Sequence, residues 1–385
     1  MTFRTFLSII NKNYKQTRMT YMLTQEIAKE IVAQTMIRLN RNINIMDEQG
    51  TIIASGNVKR INQAHFGAKE VLRTGKPLII SKDDSQQWDG ALPGINLPIQ
   101  FQNNIIGVIG ITGNPEEIME FGELVKMITE MMIQQSFLTE QIEWKQRLIE
   151  LVFEDLLTDS SQPELIKQRL NLIGVTLEAP YQVGIIELGS HHLKKNELLQ
   201  IFRDSFNKQQ TLIGFLNVNR LFILTSHLPE ERLKQKMLNV ISVLKAKSIS
   251  LRAGTGSTVF VEAHIRHSFE EALSALKFGN LEQAFITYNE IETKALLDQL
   301  DERAKQQFSK RILSNLSDKL IDTLEHFFAC NLNIGECAKR MYIHRNSLIY
   351  RIKKVKEKTG YDPQNIHDAM TLQLAIWILQ MLPKE

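Results

Sequence analysis

The sequence predicts an α+β chain of several domains. In order these are a helix with a small antiparallel sheet, a long helix, a ferredoxin-like domain, and an all-α helix-turn-helix at the C-terminus. Three observations carry this. Short apolar runs separated by turn residues occupy positions 43–112. Apolar residues then recur at helical spacing from 115 to about 157. Residues 333–358 read as two short helices joined by a tight turn, the second of them basic.

The totals bound the rest. A length of 385 residues with 43% apolar content supports two or three ordinary cores. Two cysteines, Cys330 and Cys337, are too few for a disulfide framework or a thiolate metal site, and they fit a reducing compartment. No run of about 18 apolar residues is available to span a membrane, so a cytoplasmic protein is expected. The first 21 residues carry Arg4, Lys12, Lys15 and Arg18 and no acid. Their apolar piece is too short for a signal peptide, so 1–21 reads as an extension, with Met22 an equally sensible start.

Leu23, Ile27 and Ile31 have helical spacing and predict a helix over 24–39. Strands are expected at 43–46, 51–54, 77–80, 95–101 and 105–112, with a helical excursion between 62 and 72. Asp47-Glu-Gln-Gly50 is a hairpin turn in which glycine supplies the positive φ. This layout is PAS-like. Asn114-Pro115 starts the long helix. Its apolar positions fit a heptad seam: Phe121, Leu124, Ile128, Met131, Leu138, Ile142, Ile149, Val152 and Leu156, broken by Gln135 and Lys145. The seam fits a dimeric coiled coil or a helix packed on its own domain, giving domain 22–157.

Ser160-Ser-Gln-Pro163 reads as a linker. The pattern then runs strand 181–188, helix 196–206, hairpin 211–216 and 220–225, helix 230–247, strand 249–255 and helix 269–279. That β-α-β-β-α-β order is ferredoxin-like and defines domain 164–300. The terminal domain, 305–385, is helical: 304–320, 322–330, the helix-turn-helix pair, and a closing helix over 367–381.

Charge singles out the terminal module. Residues 333–358 hold eight Lys/Arg and two Glu, a net +6, while the whole chain is +3. A basic footprint confined to one module is what phosphate neutralisation requires. Leu348, Ile352 and Val355 fall at i, i+4, i+7 and form the inward stripe. His344, Arg345, Asn346, Ser347, Tyr350, Arg351, Lys353 and Lys354 are then the candidate contacts to double-stranded DNA.

Several strings resemble the carbohydrate (sugar) diacid regulator family. In the N-terminal third they are Asp47-Glu-Gln-Gly-Thr-Ile-Ile-Ala-Ser-Gly56, Arg60-Ile61, His65, Pro93-Gly-Ile-Asn-Leu-Pro98 and Ile106-Gly-Val-Ile-Gly-Ile-Thr-Gly-Asn-Pro115. At the C-terminus, Tyr342-Ile-His-Arg-Asn-Ser-Leu348, Tyr350-Arg351 and Thr359-Gly360 resemble a PucR-type helix-turn-helix. The resemblance implies a regulator, usually an activator, of genes for using glucarate, galactarate or glycerate. It also implies a degenerate GGDEF-like middle domain. An active cyclase carries acidic metal ligands on a Gly-Gly-Asp/Glu-Glu-Phe hairpin. The corresponding Gly214-Phe-Leu-Asn-Val-Asn-Arg220 has no acid, so neither enzyme activity nor cofactor nor metal is expected.

A hydroxy-acid or diacid effector needs cationic forks, backbone N–H groups at a helix start, and hydroxyl partners. Arg60 and His65 on one side and the Thr112-Gly113-Asn114 turn on the other would supply anion contacts. Asn96 would pair with hydroxyls, and Gly94 and Gly113 would let the backbone approach. The expected partners are DNA, this effector, a second copy of the chain and RNA polymerase. The competing reading is a nucleotide-binding or cyclase-related signalling protein whose helix-turn-helix serves protein contacts.

Overall fold

A computed structural model describes residues 23–39, 41–82, 92–158 and 162–382. The expected extension and Ser160 and Ser161 of the linker lie outside these residues. The chain divides into two compact units, with the break between Gln146 and Arg147 inside the long helix.

The first unit opens with α1 (Gln25–Leu39), β1 (Ile43–Met46) and β2 (Ile52–Ser55). A 3-10 turn (Val58–Arg60) leads into α2 (Phe66–Thr74), then β3 (Leu78–Ile80), β4 (Gly94–Phe101) and β5 (Asn104–Thr112). The helical excursion therefore starts four residues later than the sequence suggests. The sheet order is β2-β1-β5-β4-β3, with every neighbouring pair antiparallel. Gly50 takes φ +78° in the β1–β2 turn, and Asp47 Oδ1 accepts from the amides of Gln49 and Thr51.

Both faces of this sheet are covered. On one, Ile45, Ile95, Leu97 and Ile109 pack with Ile31 of α1 and with Ile118, Val125 and Ile133 of the long helix α3 (Pro115–Leu156). On the other, Met46 and Val108 pack with Ala68 and Val71 of α2. Strand alternation sorts the residues between the faces.

The second unit begins with the last turns of α3. Ile149, Val152 and Leu156 are buried there, and Phe153 stacks on Phe222 at 3.8 Å between centroids. These three heptad positions are thus core residues of their own domain and not an outer seam. A helix that the sequence reading left out, α4 (Pro163–Ile173), follows, with proline in its first turn and Gly174 capping it at φ +70°.

Next come β6 (Tyr181–Leu188), α5 (Lys195–Ser205), β7 (Thr211–Asn217), β8 (Arg220–Ser226), α6 (Glu230–Ala246), β9 (Leu251–Thr255) and α7 (Ile265–Phe278). The sheet order β9-β6-β8-β7 is ferredoxin-like, extended by β10 (Phe285–Thr287) running parallel to β9. The acid-free hairpin turns at Val218 and Asn219.

The remainder is helical: α8 (Tyr288–Asp298), α9 (Glu302–Leu313), α10 (Asp318–Ala329), α11 (Ile334–Arg340), α12 (Arg345–Thr359) and α13 (Ile366–Met381). The single helix expected over 304–320 is interrupted after Leu313, and α10 starts afresh at Asp318, four residues before the second helix expected at 322. Ile312, Leu324, Val355, Leu372 and Ile376 form the core that gathers these helices. Among the described residues no helix is long and apolar enough to cross a membrane.

Candidate DNA interface and effector site

The helix pair α11–α12 is built by capping. Asn333 Oδ1 accepts from the amides of Gly335 and Glu336, and His344 Nδ1 accepts from Asn346 N at 3.2 Å. Gly360 ends α12 at φ +79°. Leu348 and Ile352 pack against Phe327, Cys337 and Ala338. Burial pushes the Cys337 thiol up to about 11, with Cys330 beside it adding to the shift, so this thiol serves as a small apolar filler.

Outside this core lies an open groove of about 760 Å³ between α12 and the start of α10. Asn346, Ser347, Tyr350, Arg351 and Lys354 line it from α12, together with Lys358. Ser317 and Lys319 complete it from α10, and no carboxylate is among the lining residues. Arg351 is held in place by donating to Thr323 Oγ1 at 3.1 Å. His344, Arg345 and Lys353 are exposed but lie outside the groove. Lys356 is turned to Asp362 at 2.8 Å, which raises its pKa and lowers that of the acid. Ser317, Lys319 and Lys358 were missing from the candidates named on sequence.

In the sensory unit, cross-strand register assembles a polar row on the α2 face of the sheet. Asn96 on β4 pairs with Gly110 on β5, Gly110 with Asn44 on β1, and Asn44 with Ser55 on β2. Ser55 Oγ donates to Asn44 Oδ1 at 2.7 Å. Asn96 is only 4% exposed as a residue, and its side-chain amide makes no hydrogen bond among the described residues but is not sealed from solvent. It is wedged between two glycines. A Cβ on Gly67, in the first turn of α2, would lie 3.1 Å from Asn96 Nδ2, and one on Gly110 would lie 2.9 Å from Oδ1.

His65 is the N-cap of α2, one residue before the helix. Its Nδ1 accepts from Ala68 N at 3.2 Å. Burial, and after it the nearby Arg60 cation, hold its pKa down at about 4. The ring is therefore neutral at pH 7. Because Nδ1 accepts, the ring proton is assigned to Nε2, leaving that atom a donor. Arg60 has no ion pair among the described residues. An unpaired guanidinium, an N–H donor, a helix N-terminus and an amide free to bond form a set suited to an anion bearing hydroxyls.

The seven expected effector residues do not all join this cluster. Arg60 and His65 are close enough to interact, and Asn96 sits against Gly67 at the same helix start. Gly94 pairs with Thr112 one step along the same sheet face, about 7 Å from the Asn96–Gly110 pair. Gly113 and Asn114 sit at the start of α3. There Asn114 Nδ2 donates to Glu117 at 3.2 Å, and Arg41 pairs with the same carboxylate at 3.3 Å. With Glu116 and Glu117 already in its first turn, this helix start is poorly suited to a second anion. Asn44, Ser55, Gly67 and Gly110 were not foreseen.

A cationic, carboxylate-free groove on a helix-turn-helix, carried by a chain with a PAS-like domain, defines a class: the helix-turn-helix transcription regulators. Family comparison narrows it. Residues 23–156 match the sugar diacid recognition domain, 158–278 the GGDEF-like domain and 320–378 the PucR C-terminal helix-turn-helix domain. The carbohydrate diacid regulator of Escherichia coli is 28% identical over 375 residues, covering 92% of this chain and 97% of its own. YsfB of Bacillus subtilis is 28% identical over 360 residues with the same coverage of each chain. The DNA-binding transcriptional activator AdeR of Bacillus subtilis is 28% identical over 236 residues, 54% of each chain. The chain carries a sugar diacid recognition domain and a PucR-type helix-turn-helix domain, and it is similar over most of its length to the carbohydrate diacid regulator of Escherichia coli.

Proposed function

We propose that the protein is an effector-controlled activator of genes for using a sugar diacid or glycerate, working in the cytoplasm as a homodimer on DNA and acting on RNA polymerase. The observation that carries the effector half is Asn96. Its side-chain amide makes no hydrogen bond among the described residues, and a ligand hydroxyl or carboxylate brought to it beside the start of α2 would bond it. Arg60 and His65 Nε2–H would hold the carboxylate. The polar row from Asn96 to Ser55 would read hydroxyls. The groove lined by Lys319, Arg351, Lys354 and Lys358 would take the phosphates, with the first turns of α12 presented to base edges.

Coupling follows chain connectivity, since α3 runs unbroken from Pro115 to Leu156. An effector that binds one state of the sensory domain more tightly shifts that equilibrium by its differential affinity and no more. Calorimetric titration with glucarate, galactarate, glycerate, glycolate and oxalate tests the reading. Saturable binding by a hydroxylated acid, lost in Arg60→Ala, is expected. Absence of binding to every acid in the series removes the effector assignment.

A further inference from the structure

The sensory unit leaves one face of α3 uncovered. Val125, Thr129 and Ile133 turn into the unit's core. On the opposite face Phe121, Leu124, Ile128, Met131, Leu138 and Ile142 are each between 40% and 63% exposed. A contiguous apolar stripe of this length on a soluble unit marks an interaction surface. With Gln135 between them, these positions step by three and four alternately, a 3.5-residue repeat over three heptads and about 32 Å of helix.

The chemistry of the stripe says what covers it. The flanking positions one before each wider step are Met127, Gln134 and Gln141, all exposed. From Phe121 to Ile142 neither the stripe nor this flank contains a charged residue. Two identical copies of the face can therefore meet without like-charge repulsion. A 3.5-residue period is matched by another helix of the same period.

Gln135 selects the arrangement. Its amide would be enclosed on assembly and would need a partner that both donates and accepts. In a parallel pair in register, that partner is the same amide of the other copy. In a parallel pair slipped by a heptad it meets Ile128 or Ile142, and in an antiparallel pair it meets an apolar residue of the other seam set such as Met131; either way it is left unsatisfied. A polar residue at such a seam position is a known device for fixing register.

We propose that this stripe is a parallel, in-register seam with a second copy of the chain, with Gln135 opposite the partner's Gln135. The inference deepens the homodimer reading above by assigning its face, direction and register. A parallel seam sends both C-terminal directions the same way, as paired half-site reading requires.

Sedimentation of the full chain at micromolar concentration tests the seam. A dimer is expected for the unaltered chain and for Leu281→Glu, an exposed control in the second unit. The double variant Leu124→Glu, Met131→Glu is expected to be a folded monomer. A dimer that survives this double change overturns the seam while leaving a homodimer by another face. A monomeric unaltered chain overturns both. Direction is read with Leu124→Cys under copper phenanthroline. Parallel pairing brings the two introduced thiols together and yields a covalent dimer, whereas antiparallel pairing with Gln135 opposite Met131 holds them about 27 Å apart. The unaltered chain is the blank, because Cys330 and Cys337 are buried. A dimer that does not cross-link at this position overturns the parallel arrangement.

Discussion

His65 Nδ1 accepts the Ala68 amide at 3.2 Å, so the ring that caps α2 must stay unprotonated on that atom. Its folded pKa is about 4 against an ordinary 6.5. Between those values the unfolded chain binds more protons than the folded one, so stability falls as pH falls from 6.5 towards 4. The loss from this group approaches about 3 kcal/mol at pH 4. Denaturant titration across this window is expected to show the slope in the unaltered chain and a shallower one in His65→Gln. Equal slopes would show that the ring does not titrate this way.

Asn96→Leu separates binding from stability. Among the described residues the amide makes no hydrogen bond to lose, and the side-chain volume is nearly kept. Tm is expected to stay level or rise, and effector binding to disappear. A large drop in Tm would mean that the Asn96 amide holds the fold together.

Arg345→Ala is expected to weaken DNA binding by about ten-fold or more, on the order of 1–3 kcal/mol, with effector affinity unchanged. Arg60→Ala is expected to do the reverse. Equal loss of both functions from either change would refute the division of roles.

Salt reports the groove. If Lys319, Arg351, Lys354 and Lys358 each neutralise one phosphate, log K falls against log salt with a slope of about −3.6 per module. Lys319→Ala is expected to flatten that slope by about 0.9. An unchanged slope would place Lys319 away from the duplex.

Tyr342 sits in the turn between α11 and α12 at φ +54° and is 96% exposed. A non-glycine residue there carries about 1 kcal/mol or more of strain. Tyr342→Gly is expected to raise the stability of the terminal module by roughly that amount in chemical denaturation. A simultaneous loss of DNA affinity would assign the ring to a backbone contact.

Most elements could be read from the sequence because apolar alternation and cap residues are local signals. Asp47 to Gly50, Asn114-Pro115 and Gly360 each mark an end the structure keeps. The candidate effector cluster was only half legible. Arg60, His65 and Asn96 announced themselves by residue type. Asn44, Ser55 and Gly110 did not, because a polar or small residue in a strand gains meaning only when register sets it beside others. Gly67 matters through its neighbour and not through its own φ. Lys319 escaped notice because the break after Leu313 depends on tertiary packing, with Ser317 starting a fresh helix.

Both thiols of the chain lie in the DNA-reading module, sealed between α10 and α11. A thiol-specific reagent added to the unaltered protein therefore stays silent until that module opens. Its labelling rate is an intrinsic clock for local opening of the reader. Bound operator should slow that clock, and an effector acting at a distance should change its pace without touching it.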